Sequence, residues 1–375
     1  MRLTDLPTPA VLVEQSRIER NVDRMQAAAD HHNLRLRPHA KTHKSIDFAR
    51  IQIGRGAVGI ACAKLGEAEV FADAGIEDIR LPYPLNPVNA PRVIRLLDRT
   101  RFSFIVDHPV VARHWSDAMT RAAKRVDVLV KVDVGFHRCG VDPEDPRAIE
   151  VARAAADTKG LRLRGILSHA GHAYDAKSVE SVKKIAAAEA ETMTELASRW
   201  RTAGLPIEEI SVGSTPTARH SASRPGLAEL RPGNYVYYDR TQVALGAATL
   251  DHCALTVLVT VVSKPKPDRV IFDCGSKTLS SDRASHGSGL VDGFGDVFLH
   301  PHDSAPEPSL LVERLSEEHA TVRVRSGSTP LVPGDRVRLL PNHACVISNL
   351  FDYVHLVEGD EVVERLPVAA RGRVA

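Results

Sequence analysis

At 375 residues the chain can bury a large core and form two domains, one of them of barrel size. Hydrophobic residues make up 43% and charged residues 26%, and 49 Lys plus Arg stand against 47 Asp plus Glu. A formal charge of +2, with the arginines scattered along the chain, leaves no long-range field to draw in nucleic acid or an anionic membrane.

The chain opens with an extended segment, Ala10 to Val13. Ser16 and Glu19 then read as an S-x-x-E capping box, and Ile18, Val22, Met25 and Ala29 recur at helical spacing. Beyond this helix, short apolar runs at Leu34–Arg37, Ala57–Cys62, Asp78–Leu81, Phe102–Val106, Val126–Val132, Gly165–Ser168, Glu209–Val212 and Ala228–Leu230 are separated by helical segments. Eight strands alternating with helices point to a closed parallel (β/α)8 TIM-type barrel.

From about Thr241 the pattern changes. Leu255–Val262, Arg269–Phe272, Leu310–Glu313, Ala320–Val324, Arg336–Leu340 and Val354–Leu356 are β-type runs divided by Pro, Gly and Asp turns, and no long helix is written there. The expected division is therefore an extended segment at 1–15 that joins the β domain, a barrel at 16–240 and a C-terminal β-rich domain at 241–375. Ser280–Gly293, rich in Ser, Gly and Asp, reads as a surface loop.

Gly54, Gly56 and Gly59 spell G-x-G-x-x-G, but they follow a helix and lead into a strand. A dinucleotide fingerprint needs the reverse order, so these glycines read as a helix stop and turn. Cys62, Cys139, Cys253, Cys274 and Cys345 are odd in number and contain no C-x-x-C pair, which suits a reducing compartment. The first nine residues lack an apolar signal core, and the longest apolar stretch, around Ala254–Val262, is too short to span a bilayer. The chain reads as cytoplasmic.

Arg37-Pro-His-Ala-Lys-Thr-His-Lys44 places five potentially basic side chains at the end of the first barrel strand. On a surface this would be a solvated charge cluster. At the C-terminal end of a barrel strand it is where this fold assembles active sites, and an amine crowded by cations and partly desolvated loses the proton that blocks attack on a carbonyl. Small-residue turns follow the seventh and eighth runs, at Gly213-Ser214-Thr215 and Gly233-Asn234-Tyr235, where barrels commonly hold phosphate. His169 and His172, after the sixth run, are candidates for substrate contact or proton transfer, with His169 closer to the strand end and Tyr174 a weaker candidate. His343-Ala-Cys345, on a segment read as extended, would turn both donors to one side. Imidazole with thiolate suits zinc better than calcium or magnesium, although H-x-C alone is a weak pattern.

Several longer motifs make a resemblance specific. RPHAKTHK, GIACAKLGEAEVFADAGIEDI, VDVGFHRCGV, SVGSTPT, LRPGNYVYYDRTQVALG and PNHAC together resemble the family of D-threonine aldolases and eukaryotic-type D-serine dehydratases, fold-type III pyridoxal phosphate enzymes related to alanine racemase. The likeness runs from about Thr8 to Asp352. It implies an alanine racemase-like barrel with a C-terminal β domain, pyridoxal 5'-phosphate carried by Lys41, and Arg138 near the cofactor's phenolic oxygen. It further implies a divalent metal, Zn or Mn, held at His343 and Cys345. The small-molecule substrate implied is a D-3-hydroxy amino acid. D-Threonine aldolase is the first expectation, and D-serine or D-threo-3-hydroxyaspartate dehydratase the alternative. A racemase has no evident use for the H-x-C pair, and small single-barrel cofactor-carrying proteins lack the second domain. The resemblance also implies a homodimer.

Overall fold

The computed structural model describes residues 1–282, 289–300 and 303–375. Part of the loop expected at Ser280–Gly293 thus lies outside the described residues. The chain first lays down β1 (Ala10–Glu14) and a helix, Gln15–His31, whose buried face is Ile18, Val22, Met25 and Ala29. The expected capping box does not form. The helix begins one residue before Ser16, its N-cap is Glu14 with no side-chain cap bond, and Glu19 is instead engaged by Gln15 at 3.0 Å.

The barrel strands are β2 (Arg35–Leu36), β3 (Ile60–Ala61), β4 (Asp78–Pro84), β5 (Arg101–Val106), β6 (Val126–Lys131), β7 (Leu161–Leu167), β8 (Glu209–Val212) and β9 (Glu229–Leu230). All pairings are parallel, in the order β2-β9-β8-β7-β6-β5-β4-β3. The ring closes between β2 and β3, where Val58 N–H donates to Leu36 O at 2.9 Å and Ala61 N–H to Pro38 O at 2.8 Å. Each sequence run falls on one strand, because β-branched and aromatic residues bounded by turns are what a strand buried on both faces requires. Gly54 ends the helix Ile46–Gly54, and Gly56 and Gly59 follow it and lead into β3, as a helix stop should.

The C-terminal half supplies β10 (Leu255–Lys266), β11 (Arg269–Phe272), β12 (Gly295–Phe298), β13 (Leu310–Leu315), β14 (Ala320–Val324), β15 (Arg336–Pro341), β16 (Tyr353–Glu358) and β17 (Glu361–Pro367). β1 pairs antiparallel with β10 and parallel with β16, so the N-terminal segment is a strand of this second sheet. β12 and β17 carry too few apolar residues to stand out in the sequence. β17 alternates on a mostly exposed face, and its pairing with β16 holds it there. Among the described residues no helix is long and apolar enough to cross a membrane.

Candidate active site

The C-terminal ends of the barrel strands surround a cavity of about 150 Å³. Lys41 reaches it from the turn after β2, and Lys131 is the last residue of β6. His169 follows β7, Gly213 to Thr215 follow β8, and Arg231, Gly233 and Asn234 follow β9. Arg138 and Tyr174 also line it, and the β-rich half contributes His343 and Cys345. The fold therefore gathers Lys41, Arg138, His169, Tyr174, Gly213, Ser214, Thr215, Gly233, Asn234, His343 and Cys345 into one chamber.

Tyr235 is not brought there. Its ring is fully buried in the core and its hydroxyl accepts a hydrogen bond from Gln52 at 3.0 Å. In the short turn Asn234–Val236 only Asn234 faces the cavity, and the residue after it points inward to the helix Ile46–Gly54. His172 sits beside Gly135 outside the chamber. The His343–Cys345 segment is not extended either. His343 is the last extended residue after β15, and Cys345 lies in the first turn of a helix, Ala344–Leu350. The two donors still converge, because the turn into the helix swings Cys345 back toward the barrel mouth, where Thr42 Oγ1 lies 3.2 Å from its sulfur.

Among the ionisable lining residues, Lys131 and Arg231 were not singled out from the sequence, and His39 was read only as a member of the Arg37–Lys44 cluster. The readable signal for Lys131 is a lone charge closing an apolar strand at its C-terminal end. Arg231 has the same signature one residue beyond β9. The Arg231 guanidinium is buried, donates from Nε to Ser211 Oγ at 2.7 Å and is bonded to the Ser168 carbonyl.

The electrostatics of the chamber follow from burial and crowding of cations. Burial lowers the pKa of the Lys41 amine, with Arg138 and Arg231 adding to the effect and Cys345 opposing it. Burial, then Arg231, brings Lys131 down to about 7. Burial and then Lys41 hold both His39 and His169 well below the usual imidazole value, so both rings are neutral at pH 7. Their tautomers are set by backbone partners. His39 Nδ1 accepts from Lys41 N–H at 3.4 Å, leaving the proton on Nε2. His169 Nδ1 lies 2.6 Å from Gly213 O, which can only accept, so that ring keeps a bare lone pair on Nε2. Burial pushes the Tyr174 phenol up.

Four basic side chains, Lys41, Lys131, Arg138 and Arg231, line the chamber, and among the described residues no carboxylate does. That imbalance fits a dianionic occupant carrying an aldehyde for the Lys41 amine, whose basicity burial lowers. Thr215 Oγ1 is buried without a well-formed hydrogen bond, and Ser214 is the N-cap of the helix Thr215–Ala222, so a phosphate there would meet free donors at a helix N-terminus. Pyridoxal phosphate fits these residues.

At the other pair, burial opposes the imidazolium of His343, but the Cys345 sulfur and the Asp282 carboxylate raise its pKa well above the usual range. Burial likewise opposes the Cys345 thiolate, yet His343 and then Lys41 draw its pKa down. His343 Nδ1 lies 2.8 Å from Asp282 Oδ2, which leaves Nε2 for a metal ion. Among the described residues no group of three or more His, Cys, Asp and Glu side chains is assembled for a metal. An ion held by one imidazole and one thiolate would keep positions open, as a catalytic ion does.

Residues 13–241 match the family model of the alanine racemase N-terminal domain, and residues 254–357 match the putative serine dehydratase domain. Over 372 residues the chain is 32% identical to a D-threo-3-hydroxyaspartate dehydratase of Delftia sp. (strain HT23), covering 96% of this chain and 97% of that protein. It is 33% identical over 377 residues to a D-threonine aldolase of Arthrobacter sp, covering 99% and 94%. Among solved structures, a cysteine-to-alanine variant of D-threo-3-hydroxyaspartate dehydratase in its metal-free form superposes with a TM-score of 0.92 at 31% identity, covering 98% of each chain.

Proposed function

The chain belongs to the D-threonine aldolase and eukaryotic-type D-serine dehydratase family of fold-type III pyridoxal phosphate enzymes, and from that premise we propose that it cleaves D-threonine to glycine and acetaldehyde. As a member of this family it is a pyridoxal-phosphate-dependent lyase of D-hydroxy amino acids. The observation that carries the aldolase reading is the His169 ring, tied through Nδ1 to Gly213 O and left with a free lone pair at Nε2 in the same chamber as the Lys41 amine.

In this reading Lys41 holds the cofactor through its amine, Arg138 stands at the phenolic oxygen, and Gly213, Ser214, Thr215, Gly233 and Asn234 take the phosphate. Bound there, pyridoxal phosphate supplies an electron sink for a bond broken at Cα, and a Zn²⁺ or Mn²⁺ ion at His343 and Cys345 supplies Lewis acidity toward the β-hydroxyl. His169 Nε2 takes the proton of that hydroxyl, the event that commits the substrate to Cα–Cβ cleavage. Tyr174, with its phenol kept protonated by burial, lines the chamber beside Thr215.

A second reading, elimination to a 2-oxo acid and ammonia, is favoured by Cys345. Soft thiolate suits zinc, and the dehydratase structure described above is metal-free as a cysteine variant. For elimination Lys41 would take the α-proton and His169 would be spared the role of base. One experiment separates the two. Purified protein, loaded with cofactor and supplied with zinc or manganese, is given D-threonine, D-serine and D-threo-3-hydroxyaspartate in turn. Acetaldehyde and glycine from D-threonine support cleavage, 2-oxo acid with ammonia supports elimination, and neither product from any of the three sinks both.

A further inference from the structure

Asp239 is a fully buried carboxyl group just beyond the cofactor's cradle, and besides capping its own helix, Arg240–Ala244, it bonds to Asn234 and to Ala344. Its Oδ2 accepts from Asn234 Nδ2 at 2.6 Å and from Ala344 N–H at 2.9 Å, while Oδ1 accepts from Gln242 N–H at 3.1 Å. Asn234 adjoins Gly233 in the barrel mouth, and its amide nitrogen also lies 3.5 Å from Cys345 Sγ. Ala344 is the residue between His343 and Cys345. Two residues on, Thr241 Oγ1 donates to Asn342 O at 2.8 Å. Arg240 Nη1 donates to Asn342 Oδ1 at 3.2 Å, so the segment 239–241 clasps 342–344 with three side-chain rungs, across the junction between the barrel and the β-rich half.

We propose that Asp239 is the positioning residue that sets the His343–Cys345 pair against the cofactor's cradle. The inference rests on the metal reading given above. Lys41 and the phosphate cradle come from the barrel, whereas both metal donors come from the other half of the chain, so their relative placement depends on what joins the two. A catalytic arrangement tolerates errors of only about 0.5 Å. A carboxylate that fixes the peptide between two ligands and an amide touching one of them supplies that restraint. The amide of an Asp239→Asn variant has one acceptor oxygen where the carboxylate has two, so one of the three donors must lose its partner.

The test is Zn²⁺ binding to cofactor-loaded protein, read against a chelating dye, for the parent, D239N and Thr241→Val, with the thiolate charge-transfer band of Co²⁺-loaded samples as a second readout. Removing outer partners of metal ligands typically costs about 10 to 100-fold in affinity, and that is the loss expected for D239N, with a shifted Co²⁺ band and an unchanged visible band of the cofactor. T241V removes a single hydroxyl, and a net loss of about 1 kcal/mol corresponds to roughly fivefold weaker Zn²⁺. Affinities within about twofold of the parent and an unaltered Co²⁺ band overturn the proposal. Should D239N not fold, T241V decides on the same threshold. A parent that binds no Zn²⁺ sensitive to His343→Ala overturns the metal reading and this inference together, whereas tight binding shared by parent and variants removes this inference alone.

Discussion

Arg37 Nε lies 2.8 Å from Glu229 Oε2 inside the barrel, and Arg80 Nη1 reaches the other oxygen of the same carboxylate at 2.6 Å. Ser211 Oγ donates to that oxygen as well, and Arg80 Nη2 bonds Glu209 at 2.7 Å, so one carboxylate joins β2, β4, β8 and β9 below the cavity floor. Burial alone would raise the pKa of Glu229, but Arg80 and then Arg37 hold it far below the usual carboxylate range. Arg37 keeps Asp78 at 2.5 Å and Arg80 keeps Glu209 when this charge is removed, so Glu229→Gln leaves each buried guanidinium one ionic partner short and should cost about 1.5–3 kcal/mol at pH 7 in urea unfolding. The folded-state pKa lies below the unfolded one, so this stabilisation is complete above the unfolded value of about 4.3 and is lost as pH falls below it. The deficit of the variant should therefore shrink in acid. A deficit that stays constant to the lowest pH at which the parent folds would show that the network is not the source.

That network explains much of what was and was not legible in the sequence. The run from Arg37 to Lys44 reads as one basic cluster, yet its members part company in space. Arg37 points down into the barrel. His43 is buried edge-on against Phe48 and Phe71, and burial lowers its pKa to about 4. Lys44 pairs with Glu67 at 3.0 Å. His39 and Lys41 remain at the cavity. Spacing in a turn cannot say which way each side chain faces, because the period that strands and helices provide is absent there. Where a strand does provide it, the barrel runs were readable, and their ends marked the site. The same lack of period hid the inward turn of Tyr235 and the helix that starts at Ala344 after the Pro341-Asn342 break. Lys131 and Arg231 were missed because a charge at a strand end reads as solvent-facing until the ring closes over it.

Lys41→Ala should abolish the visible band of the bound cofactor and bring turnover below detection, while the far-UV spectrum stays that of the parent. The amine is a cavity-lining group, and its truncation removes no core packing. An unchanged band in this variant would mean that another amine, with Lys131 the nearest in chemistry, holds the aldehyde.

His169→Gln should keep cofactor colour and change KM little, but lower kcat for D-threonine cleavage by about 10²–10⁴, the range for loss of a general base. Glutamine can still donate to Gly213 O, so the loop after β8 keeps its anchor while the basic nitrogen is lost. A kcat within tenfold of the parent would move the base elsewhere and would leave elimination through Lys41 the better reading.

Metal removal gives the sharpest division of labour between the two halves of the chain. The cofactor's expected contacts all come from the barrel, through Lys41, Arg138, Gly213 to Thr215 and Gly233 to Asn234, whereas His343 and Cys345 come from the β-rich half. Exhaustive treatment with a chelator should therefore stop turnover and leave the visible band in place, and added Zn²⁺ or Mn²⁺ should restore activity to the parent. The His343→Ala variant should behave like chelated protein and gain nothing from added metal at concentrations that saturate the parent, because a lone thiolate leaves the ion without its second protein ligand. Colour lost together with activity would mean that the pair supports the cofactor itself. Full activity after chelation would take the ion out of the reaction and return His343 and Cys345 to a hydrogen-bonded pair held between Asp282 and Thr42.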